Sequence, residues 1–184
     1  MSRWPVEVRF AGIGGQGLVT MGAVLADAAA GQGLEVAASQ SYGSQARGGA
    51  THADVIISEG MIDFPHVIDP DLLVVLAQEA YDHYAPGLGR EARLFYDDFF
   101  VNSTRRLAAE QVPVAATATA VERLENRLAA NFVMLGAVLE ATGVVSLEAV
   151  REAIGRVVRR RFQGLNLRAL ELGRQLGRRV PGAS

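Results

Sequence analysis

The sequence contains no cysteine and no lysine among its 184 residues. Without cysteine, the chain can form no disulfide, offers no thiolate nucleophile and cannot by itself hold an iron–sulfur cluster. Without lysine, it can form no Schiff base, and it lacks the G-x-x-x-x-G-K-[ST] motif of P-loop nucleotidases. Several classes of redox and covalent catalysis are therefore excluded for this chain acting alone.

Long hydrophobic runs are also missing. Apolar residues make up 49% of the chain, yet no segment approaches the run of about 18 apolar residues that indicates a membrane span. Residues 1–5 (MSRWP) do not contain the apolar core of a signal peptide. We therefore predict a cytoplasmic protein without a membrane partner.

Motifs for catalysis or metal binding are scarce. No G-x-S-x-G elbow supplies a hydrolase nucleophile, and the histidines have no metal-type spacing such as H-x-x-x-H. These histidines are His52, His66 and His83. We predict that Asp97 and Asp98 end a strand or bind solvent. Glu79, which follows a predicted strand, is expected on the surface, and a position at the edge of a ligand crevice is the alternative. The sequence therefore assigns no catalytic residue and no metal ligand to this chain.

A glycine-rich turn, GIGGQG, lies between a predicted strand at 6–11 and a predicted helix at 18–30. The strand has alternating apolar residues and the helix has them at helical spacing. A helix N-terminus presents unpaired N–H groups and a partial positive charge to a ligand. We predict that the turn lines a ligand crevice. Its candidate cofactor-binding residues are Gly12, Gly14, Gly15, Gln16 and Gly17.

The same turn satisfies the G-x-G-x-x-G pattern of dinucleotide-binding proteins. That fold also needs an acidic residue at the end of the second strand, where it binds the ribose. Here the second strand is predicted at 34–39 and continues into Gln40 and Ser41, while the nearest acid, Glu35, stands at its start. The missing acid argues against NAD or FAD. An interpretation in which the glycines only allow close packing of helix on strand remains open.

A second glycine-rich loop, SYGSQARGG, covers residues 41–49 and precedes the apolar run at 53–58. In a parallel sheet, the loops after successive strands open at one edge, so both loops are expected to border the same crevice. An arginine there is a planar charged fork, and glycines let the backbone approach a ligand. The candidate contacts are Tyr42, Arg47, Gly48 and Gly49. Alternatively, Arg47 is a solvated charge or the partner of Asp54.

The remaining pattern predicts an α/β fold, a single Rossmann-like domain with a mostly parallel sheet flanked by helices. No internal repeat, low-complexity tract or linker divides the chain, so the domain is predicted to cover residues 1–184. Its further strands are predicted at 71–76, 92–96 and 112–116. Helices are predicted at 78–84, from Thr119 to Leu128, at 131–141, and from a Ser146 cap through Val158.

Charge is distributed unevenly along the chain. Residues 1–150 contain nine arginines and eighteen acidic residues, whereas residues 151–184 contain nine arginines and two acidic residues. The chain has no RNP motif or helix-turn-helix signature, so we predict no nucleic-acid partner. The basic helical segment, which begins at about residue 146, is instead expected to pack on the acidic body of the chain or on a neighbouring subunit.

Together, the two glycine-rich loops make the chain resemble a known family. GIGGQG, then SYGSQARGG, then the strand ADVIIS resemble the gamma subunit of the 2-oxoacid:ferredoxin oxidoreductases, which act on 2-oxoglutarate, pyruvate or branched-chain 2-oxoacids. The similarity continues in NFVMLGA at 131–137 and in LNLRALELG at 165–173. It therefore covers about residues 5–177.

The resemblance implies an enzyme complex in which this chain is one subunit and is inactive alone. In that family, thiamine diphosphate and Mg²⁺ belong to the alpha and beta subunits, and iron–sulfur clusters belong to a cysteine-bearing subunit or domain. The complex oxidatively decarboxylates a 2-oxoacid, here favoured to be 2-oxoglutarate, to an acyl-CoA and passes electrons to ferredoxin. The gamma subunit is the part associated with coenzyme A. The glycine turn, Tyr42 and Arg47 are the residues expected to contact it.

Three other interpretations remain at this stage. The beta subunit of indolepyruvate oxidoreductase shares GGQG and RGG, but its middle loop is usually closer to a histidine-glycine-methionine stretch than to SYG. A free-standing nucleotide- or FAD-binding Rossmann-like protein would instead retain its own cofactor. A scaffold without a ligand would use both loops as protein contacts. The particular 2-oxoacid and the oligomeric state do not follow from this sequence.

Overall fold

The computed structural model describes residues 4–41 and 50–180. Six strands lie within these ranges: β1 (Val6–Gly12), β2 (Glu35–Ser41), β3 (Thr51–Ser58), β4 (Leu72–Val75), β5 (Arg93–Asp97) and β6 (Glu110–Val114). They form one sheet in the order β2-β3-β1-β4-β5-β6. The predicted strands are all present, with ends that differ by at most two residues.

Six α-helices accompany the sheet. They are α1 (Leu18–Gly31), α2 (Gln78–Tyr84), α3 (Ala116–Leu124), α4 (Ala130–Thr142), α5 (Leu147–Val157) and α6 (Arg160–Gly177). Short 3₁₀ turns at Ala85–Gly87 and Arg127–Ala129 follow α2 and precede α4. No helix in the described part of the chain combines the length and hydrophobicity required to cross a bilayer.

The sheet is mostly parallel, as predicted. β1, β4, β5 and β6 pair in parallel, whereas β3 lies antiparallel to both β1 and β2. The connection from β2 to β3 explains this exception, because its nine residues are fewer than the dozen or so that a parallel crossover needs. The second glycine-rich loop therefore belongs to an antiparallel pair and does not follow a strand into a crossover helix.

Helices cover the two faces of the sheet unequally. The larger core lies under α1, α3, α4, α5 and α6, and the smaller one lies under α2. Side chains of β1 alternate between them, with Val8 and Phe10 in the larger core and Ala11 in the smaller one. Every apolar residue of α4 is buried because the sheet and the other helices surround it.

α4 and α6 pack with their backbones in direct contact. A Cβ atom placed on Gly173 would overlap the carbonyl oxygen of Val133, and one on Gly136 would overlap the carbonyl oxygen of Leu170. Only glycine allows so close an approach. The apolar stretch at 131–137 and α6 are therefore joined by matched small residues.

The start and end of α3 differ from the prediction. We expected Thr119 to cap a helix that continues to Leu128, but α3 begins at Ala116 and ends at Leu124. Glu125 adopts a left-handed conformation with φ 52°, and this ends the helix. By contrast, Ser146 caps α5 as predicted, since its hydroxyl accepts a hydrogen bond of 3.2 Å from the backbone N–H of Ala149.

The neighbouring strands β1 and β4 send their connections in opposite directions. α1 follows β1 on the face of the larger core, and α2 follows β4 on the other face. Their carboxyl ends lie side by side, because β1 pairs with β4 in parallel. Such a point in an open α/β sheet leaves a crevice outside the strand ends, and the glycine turn lies at its border.

Candidate functional site

A crevice of about 550 Å³ opens between the carboxyl ends of β1 and β4. The glycine turn forms one wall, the chain from Leu76 to Glu79 forms the second, and the starts of α3 and α4 form the third. The predicted ligand-binding turn therefore does border a cleft of the size that small ligands occupy. Glu79 is exposed at its edge and lines it.

Each glycine of the turn has its own structural setting. Gly15 and Gly17 adopt left-handed conformations, with φ 88° and 76°, which side chains disfavour. A side chain at Gly12 would overlap the amide of Gln16, whereas one at Gly14 would meet no protein atom within 4 Å. Gly12 is therefore explained by packing, while Gly14 leaves an open backbone surface towards the crevice.

The amide of Gln16 holds the turn against the sheet. Its Oε1 accepts a hydrogen bond of 2.8 Å from the backbone N–H of Ile13, and its Nε2 donates one of 2.7 Å to the carbonyl oxygen of Leu76. The side chain thus joins the end of β1 to the end of β4. Gln16 lines the crevice as predicted, but its amide acts as a brace that fixes the shape of the turn.

The second set of predicted contacts, Tyr42, Arg47, Gly48 and Gly49, lies outside the described residues. The residues on either side are placed: Ser41 pairs with His52, and Thr51 pairs with Gly12. The chain therefore leaves β2 and enters β3 at the edge where the glycine turn begins. The roles of Tyr42 and Arg47 stay predictions.

Asp97 is the residue whose role the sequence analysis missed. It ends β5, as predicted, but it is only 1% exposed and does not bind bulk solvent. Its carboxylate accepts hydrogen bonds from the hydroxyl and the backbone N–H of Thr117 and from the backbone N–H of Phe99. Burial raises the pKa of this carboxyl above its ordinary range, although these hydrogen bonds favour the charged form. Asp98, by contrast, is exposed.

Asp97 fastens the start of α3 to the floor of the crevice. No side chain at the start of α3 caps the helix. The carboxylate of Asp97, at the end of β5, instead accepts a hydrogen bond from a backbone N–H of its first turn. The sequence does contain a signal for this role, because an acid at the carboxyl end of a predicted strand lies at the crevice edge. Since Asp98 is adjacent, the sequence did not show which of the two acids is buried.

A polar cluster lies beside the crevice on the face of the sheet that α2 covers. Arg9 donates two hydrogen bonds of 2.8 and 2.7 Å to Asp54, and His52 Nδ1 lies 2.8 Å from the hydroxyl of Tyr84. Burial lowers the pKa of His52, which outweighs the attraction of the nearby Asp54 carboxylate. Asp54 therefore has Arg9 as its partner. Arg9, Asp54, His52 and Tyr84 form one polar network, although no pattern in the sequence indicated that they lie together.

Exposed apolar side chains lie at the crevice. Ile13, Phe100 and Leu128 line it, Leu128 being 71% exposed, and Phe99, which is 61% exposed, packs on Phe100 with ring centres 4.9 Å apart. We call these four residues the apolar rim.

The basic segment packs on the acidic body in part, as expected. Arg156 pairs with Asp27 at 2.8 Å, and Arg178 pairs with Glu140 at 3.0 Å. Arginines 159, 160 and 161 form no ion pair with any carboxylate in the described part of the chain. Part of the positive charge is therefore free to meet an anion.

Comparison with known proteins gives a consistent result. The family model for pyruvate ferredoxin/flavodoxin oxidoreductase matches residues 7–176. The chain is 42% identical to the 2-oxoglutarate synthase subunit KorC of Methanothermobacter thermautotrophicus over 177 residues, which cover 92% of this chain and 94% of that subunit.

Solved structures agree with that match. The gamma subunit of a keto/oxoacid ferredoxin oxidoreductase from Geobacter sulfurreducens superimposes with a TM-score of 0.85 at 36% identity, covering 95% of this chain and 99% of that one. The fold also matches part of the 2-oxoglutarate:ferredoxin oxidoreductase of Magnetococcus marinus, solved with 2-oxoglutarate, coenzyme A and succinyl-CoA bound. That match has a TM-score of 0.82 at 24% identity and covers 100% of this chain and 32% of that chain.

Proposed function

The chain belongs to the pyruvate ferredoxin/flavodoxin oxidoreductase family, and we propose that it works as the gamma subunit of a 2-oxoglutarate:ferredoxin oxidoreductase. Its near-full-length similarity to KorC subunits is the observation that carries this proposal. The complex would convert 2-oxoglutarate and coenzyme A into succinyl-CoA and carbon dioxide and pass the electrons to ferredoxin. This chain supplies no thiol or lysine for that chemistry, so its part is to bind and position.

The crevice at the glycine turn is the proposed contact with coenzyme A. α1 begins directly after the glycine turn that lines the crevice, and the unpaired N–H groups and partial positive charge at its N-terminus suit the diphosphate of that substrate. Gly14 leaves its backbone open for close approach. Arg47 and Tyr42, on the loop between β2 and β3, would complete the site, with the guanidinium forming charge-assisted hydrogen bonds to phosphate.

Partner subunits would carry the remaining cofactors. Because the chain has no cysteine, the iron–sulfur clusters must be held by another subunit or domain. Thiamine diphosphate and Mg²⁺ are assigned to the alpha and beta subunits. The apolar rim around the crevice offers a docking surface beside the site, which would place coenzyme A where two subunits meet.

The alternatives are less well supported. Four KorC subunits of 2-oxoglutarate synthases are 36–42% identical to this chain over most of its length. This similarity favours 2-oxoglutarate over indolepyruvate as the substrate. A free-standing dinucleotide-binding protein would need an acid at the end of β2. The described end of that strand is Gln40-Ser41.

The proposed site is tested by Arg47→Ala in the assembled complex. The apparent KM for coenzyme A is expected to rise about tenfold or more, since a charge-assisted hydrogen bond is lost, while the subunit composition and the KM for 2-oxoglutarate stay unchanged. Arg90→Ala is the matched control, because Arg90 is exposed and lies at the opposite edge of the sheet. Loss of assembly with an unchanged KM for coenzyme A would instead identify the loop as a scaffold contact.

A further inference from the structure

The chain between β3 and β4 presents apolar side chains at the end of the sheet opposite the crevice. It covers residues 59–71, and we call it the β3–β4 loop. Met61 is 86% exposed, Phe64 is 57% exposed and Ile68 is 75% exposed. Single exposed apolar side chains are common on folded proteins, but a group of large ones on one short segment indicates a contact with another molecule.

The β3–β4 loop is fastened to the sheet. Val67 and Pro70 are buried. The carbonyl oxygen of Val67 accepts a hydrogen bond of 2.9 Å from the Arg9 guanidinium, and the backbone N–H of Ile68 donates one of 3.3 Å to the Glu7 carboxylate. Arg9 and Glu7 belong to β1, so the backbone of the loop is fixed by the central part of the sheet. The exposure of its apolar side chains is therefore a property of the fold.

Negative charge accompanies these apolar side chains. The β3–β4 loop contains four acidic residues, and residues 48–89 contain no arginine. Glu59, Asp63 and Asp69 are exposed, and none of the three forms an ion pair with any residue that the structure describes. A surface that is apolar and acidic is complementary to one that is apolar and basic.

Both ends of the described chain lie at the same edge of the sheet as this loop. Trp4 lines one hollow together with Asp69 and Pro70, and a second hollow together with Glu140. At the other end of the chain, Arg178 pairs with Glu140 at 3.0 Å. The two chain ends therefore meet near Glu140, and Trp4 borders both this place and the β3–β4 loop.

A longer relative has additional chain beyond these ends. The ketoisovalerate oxidoreductase subunit VorA of Methanothermobacter thermautotrophicus is 35% identical to this chain over 178 residues, which cover 94% of this chain but 36% of VorA. Since the match extends over nearly the whole of this chain, the rest of VorA continues from positions that correspond to its ends. In VorA, further protein therefore begins at the edge of the sheet that here carries the β3–β4 loop.

A second copy of this chain does not suit this surface. A two-fold contact uses the same surface on both copies, so it would place the carboxylates of Asp63 and Asp69 opposite the same acidic loop. Like charges in such positions oppose association. A head-to-tail contact would leave each added copy with a free surface for the next one, unless the copies close into a ring. The occupant that fits is a different chain with basic side chains.

We propose that the β3–β4 loop is a docking surface for another subunit of the oxidoreductase complex. That subunit presents an apolar surface to Met61, Phe64 and Ile68, and basic side chains to Asp63 and Asp69. The contact lies at the opposite end of the sheet from the apolar rim, so the complex holds this chain at both ends. The inference rests on the proposed function, because it requires the chain to be one subunit of a complex.

The absence of cysteine allows a direct labelling test. In Met61→Cys, alkylation of the introduced thiol by N-ethylmaleimide is expected to be about tenfold or more slower in the assembled complex than in the isolated chain, because a residue buried in a contact reacts only when that contact opens. Leu167→Cys is the matched control, since Leu167 is an exposed apolar residue of α6, which covers the other face of the sheet. Its alkylation rate should be the same in both states. Equal rates for Met61→Cys in the two states, or equal protection at both positions, would overturn the proposal.

Charge reversal at Asp63 tests the electrostatic part. The dissociation constant between this chain and the remaining subunits is expected to rise about tenfold or more in Asp63→Arg, because a cation would then face basic side chains. Asp63→Glu keeps the charge and should leave the constant unchanged. Glu122→Arg is the matched control, since Glu122 is an exposed acid of α3. An unchanged constant in Asp63→Arg, or an equal rise in Glu122→Arg, would contradict the proposal.

Turnover separates this inference from the proposed function. If the purified complex oxidises 2-oxoglutarate in a reaction dependent on coenzyme A, while Met61→Cys is alkylated equally in both states, the inference is wrong and the proposed function stands. If the chain does not assemble with other subunits, the proposed function fails and the inference fails with it.

Discussion

At the scale of single residues, the glycine turn combines two different requirements. Gly15 and Gly17 satisfy backbone conformations that side chains disfavour, and Gly12 leaves room for the brace formed by Gln16. Gly14 has neither reason, because its φ lies outside the left-handed region and no protein atom is close to it. We propose that its small size leaves room for the ligand of the crevice.

Gly14→Ala tests this distinction. The added methyl group would project into the crevice and meet no protein atom, so the free energy of unfolding should change by less than about 0.5 kcal/mol. The KM for coenzyme A of the complex should rise by about an order of magnitude. Gly155→Ala, at an exposed helix position with equal space, should leave that KM unchanged. An unaltered KM in Gly14→Ala would favour the view that the glycines serve packing alone.

The buried carboxyl of Asp97 gives a prediction for pH. Because burial raises its folded-state pKa above the ordinary value of 3.8, the folded protein binds this proton more tightly than the unfolded chain does. Its contribution to stability is therefore fully present below pH 3.8 and is lost as pH rises through the folded-state pKa. Asp97→Asn removes this dependence and preserves the shape, since its NH₂ can donate to the hydroxyl of Thr117.

Urea unfolding between pH 4 and 7 measures the effect. Relative to the wild type, Asp97→Asn should gain stability as pH rises through this window. Asp97→Ala should lose about 1–3 kcal/mol at pH 7, because the N–H groups of Thr117 and Phe99 are left without acceptors. A constant difference between Asn and wild type at all pH values would contradict the raised pKa.

At the scale of elements, the periodicity of apolar residues predicted which strands and helices exist better than it predicted how the strands pair. Each predicted strand and helix is present, since alternating apolar residues such as Val8 and Phe10 report burial on one face. The direction of β3 was not anticipated, although the nine residues that precede it are too few for a crossover helix. The end of α3 was also missed, because no glycine or proline marks the left-handed Glu125.

The contact between α4 and α6 is the element-scale feature most sensitive to substitution. Gly173→Ala would force its methyl group against the backbone oxygen of Val133 and should cost about 1–3 kcal/mol or more in the free energy of unfolding. Gly164→Ala, on the same helix with open space around it, should instead stabilise by up to about 1 kcal/mol. The measurement is the midpoint of urea unfolding for each variant, compared with that of the wild type. Equal stabilities would show that the helices can separate without cost.

At the scale of the whole molecule, the family and the fold class were readable from the sequence, because two glycine-rich loops at fixed spacing mark both. The site was readable only in part. The turn at residues 12–17 identified the crevice, but Asp97 and Asn131 reach it from elements far apart in the chain, and only the folded arrangement brings them together. The extent of the domain over residues 1–184, the cytoplasmic location and the roles of Tyr42 and Arg47 stay predictions.

The central claim is that this chain is one subunit of a complex that oxidises a 2-oxoacid in a reaction dependent on coenzyme A. The most direct measurement is affinity purification of the chain from its native host, followed by mass spectrometry and assays of coenzyme A-dependent viologen reduction. The assays use 2-oxoglutarate, pyruvate, a branched-chain 2-oxoacid and indolepyruvate. We predict recovery of subunits with thiamine diphosphate and iron–sulfur clusters, the highest activity with 2-oxoglutarate, and none from the isolated chain. A chain that purifies alone with a bound nucleotide, or that turns over by itself, would contradict the account.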